Sequence, residues 1–444
     1  MIGVPLLFGA ALSISGENAL KHASALAALG PHPFGSPRGR AAAAYVAAGF
    51  REVGLGEVRL VDFESDGQRG ANVIGVLRAP GPEFVVIGAH HDSTAEAPGG
   101  HAAGGFGVLV EVARTLAKLA ERPRTLVFVS FDAGETDGRT GARQYLQGLG
   151  GDSRNLVAAV AIEAAGWKDG APVLQAPAYS DPLRPGQTVI APAWLARTAQ
   201  ASGGVALGDR FASPLVQPVV RAWRARIGSD DEAFLQAGLP ALAVTDMPFA
   251  RVFPHERRSS DTTDKLDAGA LAQSGAAVLG IVDALSRAPL SRAAEPHWYS
   301  AFGALLTGGG IALVAGLSLL PGLGRAYSSG SVFRAARFAQ AVLFVLIAAR
   351  HPVPAVFVLA VPNTLTAFVA GRWSLLGLLP LGGLAVVALW GFARGALGGL
   401  WLQPWELIAA GGALALLWIG RPGPAGPVWR KAAGPKAGAK KKKR

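Results

Sequence analysis

The chain changes character at about residue 301. Before that point, short β-branched and aromatic runs alternate with segments of helical period. After it come long apolar runs at 302–320, 332–349, 353–370, 373–392 and 397–419. Each is close to the ~20 residues that cross the hydrocarbon core of a bilayer. The division predicts an α/β domain followed by an α-helical transmembrane module. Only Arg350 and His351 separate the second run from the third, so the count lies between four and six, and five is preferred. With five spans, Arg325, Arg334, Arg337, Arg372 and the basic tail fall on one side, and Arg350 and Arg394 on the other. The excess of positive charge places the tail in the cytoplasm and the α/β domain outside it. Trp298, Trp373, Trp401 and Trp405 suit interfacial belts, and Glu406 suits a snorkelling or paired carboxylate near a span end. The expected divisions are 1–290, 291–421 and 422–444.

Charge and cysteine content narrow the function. The net charge of +12 partly reflects the tail at 430–444, so it indicates an inside-facing signal or an anionic-lipid contact and no nucleic-acid partner. There is no cysteine, which excludes disulfides, thiolate ligands and a cysteine nucleophile. Residues 2–14 are apolar, without a preceding basic residue, and too short to span. They read either as the remnant of a signal anchor or as a first buried helix.

Helical period marks 17–29, 40–52, 104–119 and 268–286; strand-like runs mark 57–63, 71–77, 83–88, 125–131, 157–162 and 241–245. This alternation predicts a mostly parallel sheet sandwiched by helices. In such sheets, sites form beyond the carboxyl ends of the strands. His90, Glu135 and Glu163 each stand at or just after such an end. At the end of the run 83–88 the sequence reads Gly88, Ala89, His90, His91, Asp92. An imidazole and a carboxylate two residues apart suit a metal site: the histidine binds, and the aspartate holds its ring in one tautomer.

Eight segments, in order, resemble the zinc exopeptidases related to bacterial leucyl aminopeptidase. That family also includes membrane-anchored endoplasmic-reticulum forms and glutaminyl cyclase. The segments are GPHPFGS from Gly30, ANVIGVL from Ala71, GAHHDS from Gly88, PGG with GFGVLVEVARTL ending at Leu116, FVSFDAGETDGRTGARQYL from Phe128, AIEAAG from Ala161, GSDDEAFLQAGLPALAVTD from Gly228 and PHERRSSDTTDKLD from Pro254. The resemblance covers about 18–288. It implies two zinc ions held by histidines and carboxylates, with a glutamate that takes a proton from water. It makes His90, Glu163 and His255 ligands, has Asp92 orient His90, and sets Asp230 or Asp231 behind the ligands.

The sequence departs from that pattern twice. Where the family has a metal-bridging aspartate after Pro-Gly-Ala, this chain has Pro98, Gly99 and Gly100 followed by His101. Where the family has two glutamates, it has Gly134 and Glu135. Aligned from the left, Glu135 is the ligand and the base is lost; aligned from the right, Glu135 is the base and Thr136 replaces the ligand. A neutral imidazole does not readily bridge two zincs, so one zinc, or none, is expected in place of two. Three readings stand. One is a hydrolase with one zinc on His90 or His101 with Glu163 and His255, acting as a membrane-anchored aminopeptidase on a peptide or N-terminal residue. Another is an inactive homologue serving as a membrane-anchored binding or scaffold module. The third is a rebuilt site in which Asp132 or Asp137 supplies the missing carboxylate. Nothing in the sequence indicates an oligomeric state.

Overall fold

The computed structural model describes residues 13–119, 121–136, 139–175, 179–180, 182–183, 188–208, 229–247, 255–287, 290, 298–301 and 304–307. The chain divides into two compact units, Met1–Gly308 and Gly309–Arg444, and every described residue belongs to the first. The expected spans from 332 onward, Glu406, the basic tail and most of 2–14 lie outside the described residues.

Eight strands make one sheet. β1 (Glu57–Ser65) and β2 (Gln68–Leu77) form an antiparallel pair at one edge. β3 (Phe84–His90), β4 (Thr125–Phe131), β5 (Leu156–Glu163) and β10 (Ala241–Met247) form the centre, and β6 (Ala171–Gln175) and β9 (Ala206–Gly208) the other edge. The order is β1-β2-β4-β3-β5-β10-β6-β9. The four central strands are mutually parallel, whereas β2 against β4 and β10 against β6 are antiparallel. The sheet is therefore mixed, parallel at its centre and again between β6 and β9 at the edge. β7 (Tyr179–Ser180) and β8 (Thr188–Val189) make a separate small ladder.

The central strands read as unbroken apolar runs because both faces are covered. In β3, Val85, Ile87 and Ala89 enter one core, while Phe84 and Val86 enter the other. The larger core lies under α1 (Gly16–Ala27), α2 (Pro37–Glu52), α3 (Gly100–Ala117), α5 (Ala193–Gly203) and α7 (Ala268–Ser286). The smaller one packs Phe131, Tyr145 and Phe234 against the opposite face, beneath α4 (Thr140–Leu149) and α6 (Asp231–Gln236). Ser15, Ser36 and Asp267 cap α1, α2 and α7 by accepting from backbone N–H groups.

α3 lies closest to the carboxyl ends of the central strands. Glycines in its first half let it press against the sheet: a Cβ on Gly104 would lie 2.0 Å from the Ala165 carbonyl oxygen. Its N-terminal turn thus comes close to the ends of β3 and β5.

One expected span meets described residues, and one helix of the α/β domain also has a span's length and composition. α7 is, among those residues, the one helix long and apolar enough to cross a bilayer, but it is a core helix here, with Leu271, Val278, Ile281 and Val282 fully buried. The expected first span, 302–320, begins differently. β12 (Ala304–Thr307) pairs antiparallel with β11 (Trp298–Ala301), the register leaving two residues between Ala301 and Ala304. The Trp-Tyr-Ser-Ala run supplies the aromatic partners a ladder favours.

Candidate metal centre

The carboxyl ends of β3 and β5 and the first turn of α3 converge. His90 closes β3, Glu163 closes β5, and His101 is the second residue of α3. All three are buried, and each offers a ligand atom within 4.8 Å of the others. His90 Nε2 lies 3.4 Å from Glu163 Oε1. Two ligands on a tetrahedral zinc, each bonded at about 2.0–2.1 Å, stand roughly 3.4 Å apart, so this edge has the length the metal requires.

Each imidazole is oriented by its own carboxylate. His90 Nδ1 faces Asp92 Oδ1 at 3.2 Å, and His101 Nδ1 faces Asp261 Oδ2 at 2.5 Å. The carboxylates are fixed in turn. Asp92 accepts the N–H groups of Gly134 (2.7 Å) and Glu135 (3.0 Å), and Asp261 accepts that of His101 (2.9 Å). A carboxylate on Nδ1 places the proton there and leaves Nε2 as a lone-pair donor, the second layer a metal-binding histidine needs. Without a metal, burial disfavours charge on both rings. For His90 the carboxylates of Glu163 and Asp92 outweigh burial, and for His101 those of Asp261 and Glu135 do, holding both well above the usual histidine range.

Glu135 is held on two sides. Its Oε1 lies 2.9 Å from His101 Nε2, and its Oε2 accepts from Arg257 Nε at 2.8 Å. Burial would raise its carboxyl, but the charges of His101, His90 and Arg257 prevail and hold it well below the usual range. In Glu163 burial is likewise outweighed, chiefly by His90, and the carboxyl is lowered to about 2. Gly134 has no space for a side chain, since a Cβ there would lie 2.3 Å from His90 Cβ. The His90 side chain thus occupies the place where a first glutamate would project.

The other expected residues separate. Asp230 and Asp231 are adjacent and both buried, and Asp230 lies within electrostatic reach of His90 and Glu163. Burial pushes its carboxyl up to about 7 against the pull of His90 and Arg139, and its Oδ1 has no hydrogen-bond partner among the described residues. Asp231 instead accepts from Tyr179 Oη (2.8 Å) and Ser229 Oγ (2.5 Å). His255 stacks on Trp167, with ring centroids 5.9 Å apart, and its Nδ1 lies 3.0 Å from Ser260 Oγ, so it stands outside the three-residue group. Asp132 turns toward β2, accepting from Ala71 N at 3.1 Å and Ala133 N at 2.8 Å, and does not fill the place of the missing carboxylate. Asp137 lies outside the described residues.

Asp261 reads in the sequence equally as a helix cap and as chemistry. Two further participants carry no signal there. Arg257 reaches Glu135, and Arg139 donates to the Gly134 carbonyl. Both arginines have a left-handed backbone, with φ of 63° and 54°. Non-glycine residues rarely adopt that conformation, and no local sequence pattern announces it.

Comparison with known proteins bears on the fold that carries this site. Residues 72–282 match peptidase family M28. The fold resembles BSAP, a zinc aminopeptidase from Bacillus subtilis, at TM-score 0.51 and 14% identity over 65% of this chain and 100% of that one. It also resembles an aminopeptidase from Aneurinibacillus sp. strain AM-1, at TM-score 0.50 and 16% identity over 65% and 97%. LapB from Legionella pneumophila aligns at TM-score 0.50 and 18% identity over 64% and 77%. No curated protein matches the chain by sequence.

Proposed function

We propose that the α/β domain, related to the M28 peptidases through residues 72–282, is a one-metal zinc peptidase of the aminopeptidase type. The observation that carries this reading is the buried group of His90, His101 and Glu163, with each imidazole Nδ1 held by its own carboxylate. A divalent metal bound by these three side chains would supply Lewis acidity toward a peptide carbonyl. With a metal bound, Asp92 and Asp261 would hold the proton of each ring on Nδ1 and leave both Nε2 atoms to the ion. Asp230 Oδ1 is a buried acceptor without a partner among the described residues, which is costly unless a donor arrives. The ammonium group of a peptide N-terminus would satisfy it, which favours removal of an N-terminal residue over internal cleavage.

One observation favours a second reading, an inactive homologue that binds without cleaving. Glu135 is tied to Arg257, and Gly134 carries no side chain, so no glutamate is free to take a proton from water. The two readings separate when zinc content and hydrolysis of aminoacyl-anilides are measured on one preparation. Zinc with turnover that Glu163→Ala removes supports the peptidase; zinc without turnover on any N-terminal residue supports the binding module.

The apolar runs beyond residue 332 and the basic tail support placing the domain outside the cytoplasm with the tail inside. A reporter fused after Arg444 and another inserted at Asp181 should then lie on opposite sides of the membrane. Finding both on one side refutes that arrangement.

A further inference from the structure

The loop that carries His255 also carries Arg257, and the two side chains go in opposite directions. His255 lies against Trp167, whereas Arg257 reaches inward to Glu135. The guanidinium grips that residue twice, through Nε to Oε2 at 2.8 Å and through Nη2 to the main-chain oxygen at 3.1 Å. The Glu135 side chain is only 7% exposed, while that of Arg257 is 49% exposed, so the arginine closes over the glutamate from the solvent side. The other carboxylate oxygen faces His101. A buried carboxylate needs a cation or donors on its oxygens, and Glu135 has a cation supplied by the chain itself.

We propose that the Arg257 guanidinium is the second cation of this centre: it occupies Glu135 where a second metal ion would otherwise bind, so the site holds one divalent metal and one arginine. This rests on the one-metal reading above. The exchange has a plain logic. The loop turns the imidazole of His255 onto Trp167 and inserts a fixed positive charge two residues later. A metal ion at Glu135 would have to displace the guanidinium or sit beside it against charge repulsion. The left-handed backbone of Arg257 is a strained conformation of the kind retained where a side chain must be aimed.

The test is the zinc stoichiometry of the whole 444-residue chain, stripped of metal and titrated with zinc. Wild type should bind one equivalent. Arg257→Met should acquire a second, weaker equivalent, and Arg257→Lys, which keeps the charge, should stay at one. The double variant Arg257→Met with Glu135→Gln should return to one, because the second ion rests on Glu135. Arg257 is half-exposed, so these changes leave the core intact; Arg257→Gln provides a second neutral replacement, and circular dichroism checks the fold. Two equivalents in wild type, one in both neutral variants, or a second equivalent that survives in the double variant would each overturn the proposal. Wild type binding no zinc would instead refute the one-metal reading itself.

Discussion

Gly134 and His90 approach so closely that a Cβ on the glycine would lie 2.3 Å from His90 Cβ and 2.9 Å from His90 Nδ1. The backbone at Gly134 also donates to Asp92, which orients the same imidazole. The two residues therefore form one unit, in which the absence of a side chain on one permits the placement of the other.

Restoring a glutamate at this position should fail. Gly134→Glu, and even Gly134→Ala, should push His90 out of place, lowering stability by about 1–3 kcal/mol as overpacking does. Zinc affinity should fall with it. Thermal unfolding and zinc titration check both; a Gly134→Glu variant that gains turnover with its zinc retained would contradict the observed backbone path.

The carboxylates behind the histidines should matter almost as much as the ligands. Asp92→Asn and Asp261→Asn should each weaken zinc binding by about 10–100-fold, because the ring loses its tautomer and orientation. His101→Ala should weaken it further. Competition with a chromophoric chelator measures all three, and an unchanged affinity in Asp261→Asn would remove His101 from the ligand set.

His255 should behave differently from the other histidines. Its ring lies on Trp167 and its Nδ1 is beside Ser260. His255→Ala should leave zinc affinity within about threefold, since it removes no ligand and no ligand support. It should alter the fluorescence of Trp167. A loss of metal in this variant would place the imidazole in the coordination sphere after all.

Asp246 sets a pH dependence away from the centre. It accepts from the N–H groups of Gly166 and Trp167 and from Ser274 Oγ, and burial pushes its carboxyl up from 3.8 to about 6. A raised carboxyl binds its proton more tightly in the folded state. Stability from this group is therefore full below about pH 4, falls as pH rises toward 6, and stays flat above. Asp246→Asn should abolish that slope and stabilise the protein at pH 7 by up to about 3 kcal/mol, the equivalent of some two pH units. Denaturant unfolding at pH 4, 5 and 7 tests this; parallel profiles for variant and wild type would refute it.

The parts of the fold legible in the sequence are those whose burial is written in apolar residues. The run 125–131 is β4 and 268–286 is α7 without adjustment at either end. α4 gives no such signal because only Gly141, Ala142 and Tyr145 are buried along it, too few to show a helical period. α5 is equally silent because its buried face is mostly alanine, which signals weakly. The site follows the same division. His90 and Glu163 stand at strand ends, which the order of elements predicts. His101 with Asp261 joins residues 160 apart, and Glu135 with Arg257 joins residues 122 apart. No local pattern encodes such pairs; they exist only once the loop at 255–260 has closed over α3.

That long reach has a consequence for how the protein is made. His90, His101 and Glu163 have all been synthesised once residue 163 is added, whereas Asp261 follows some hundred residues later, a delay of roughly 5–20 s at ordinary elongation rates. During that interval Asp261 is absent and does not yet hold the tautomer of His101. An ion captured early would be loosely held and free to exchange. Committed metallation then becomes a late event in biogenesis, triggered by loop closure, and the identity of the retained ion depends on which metals surround the chain at that moment.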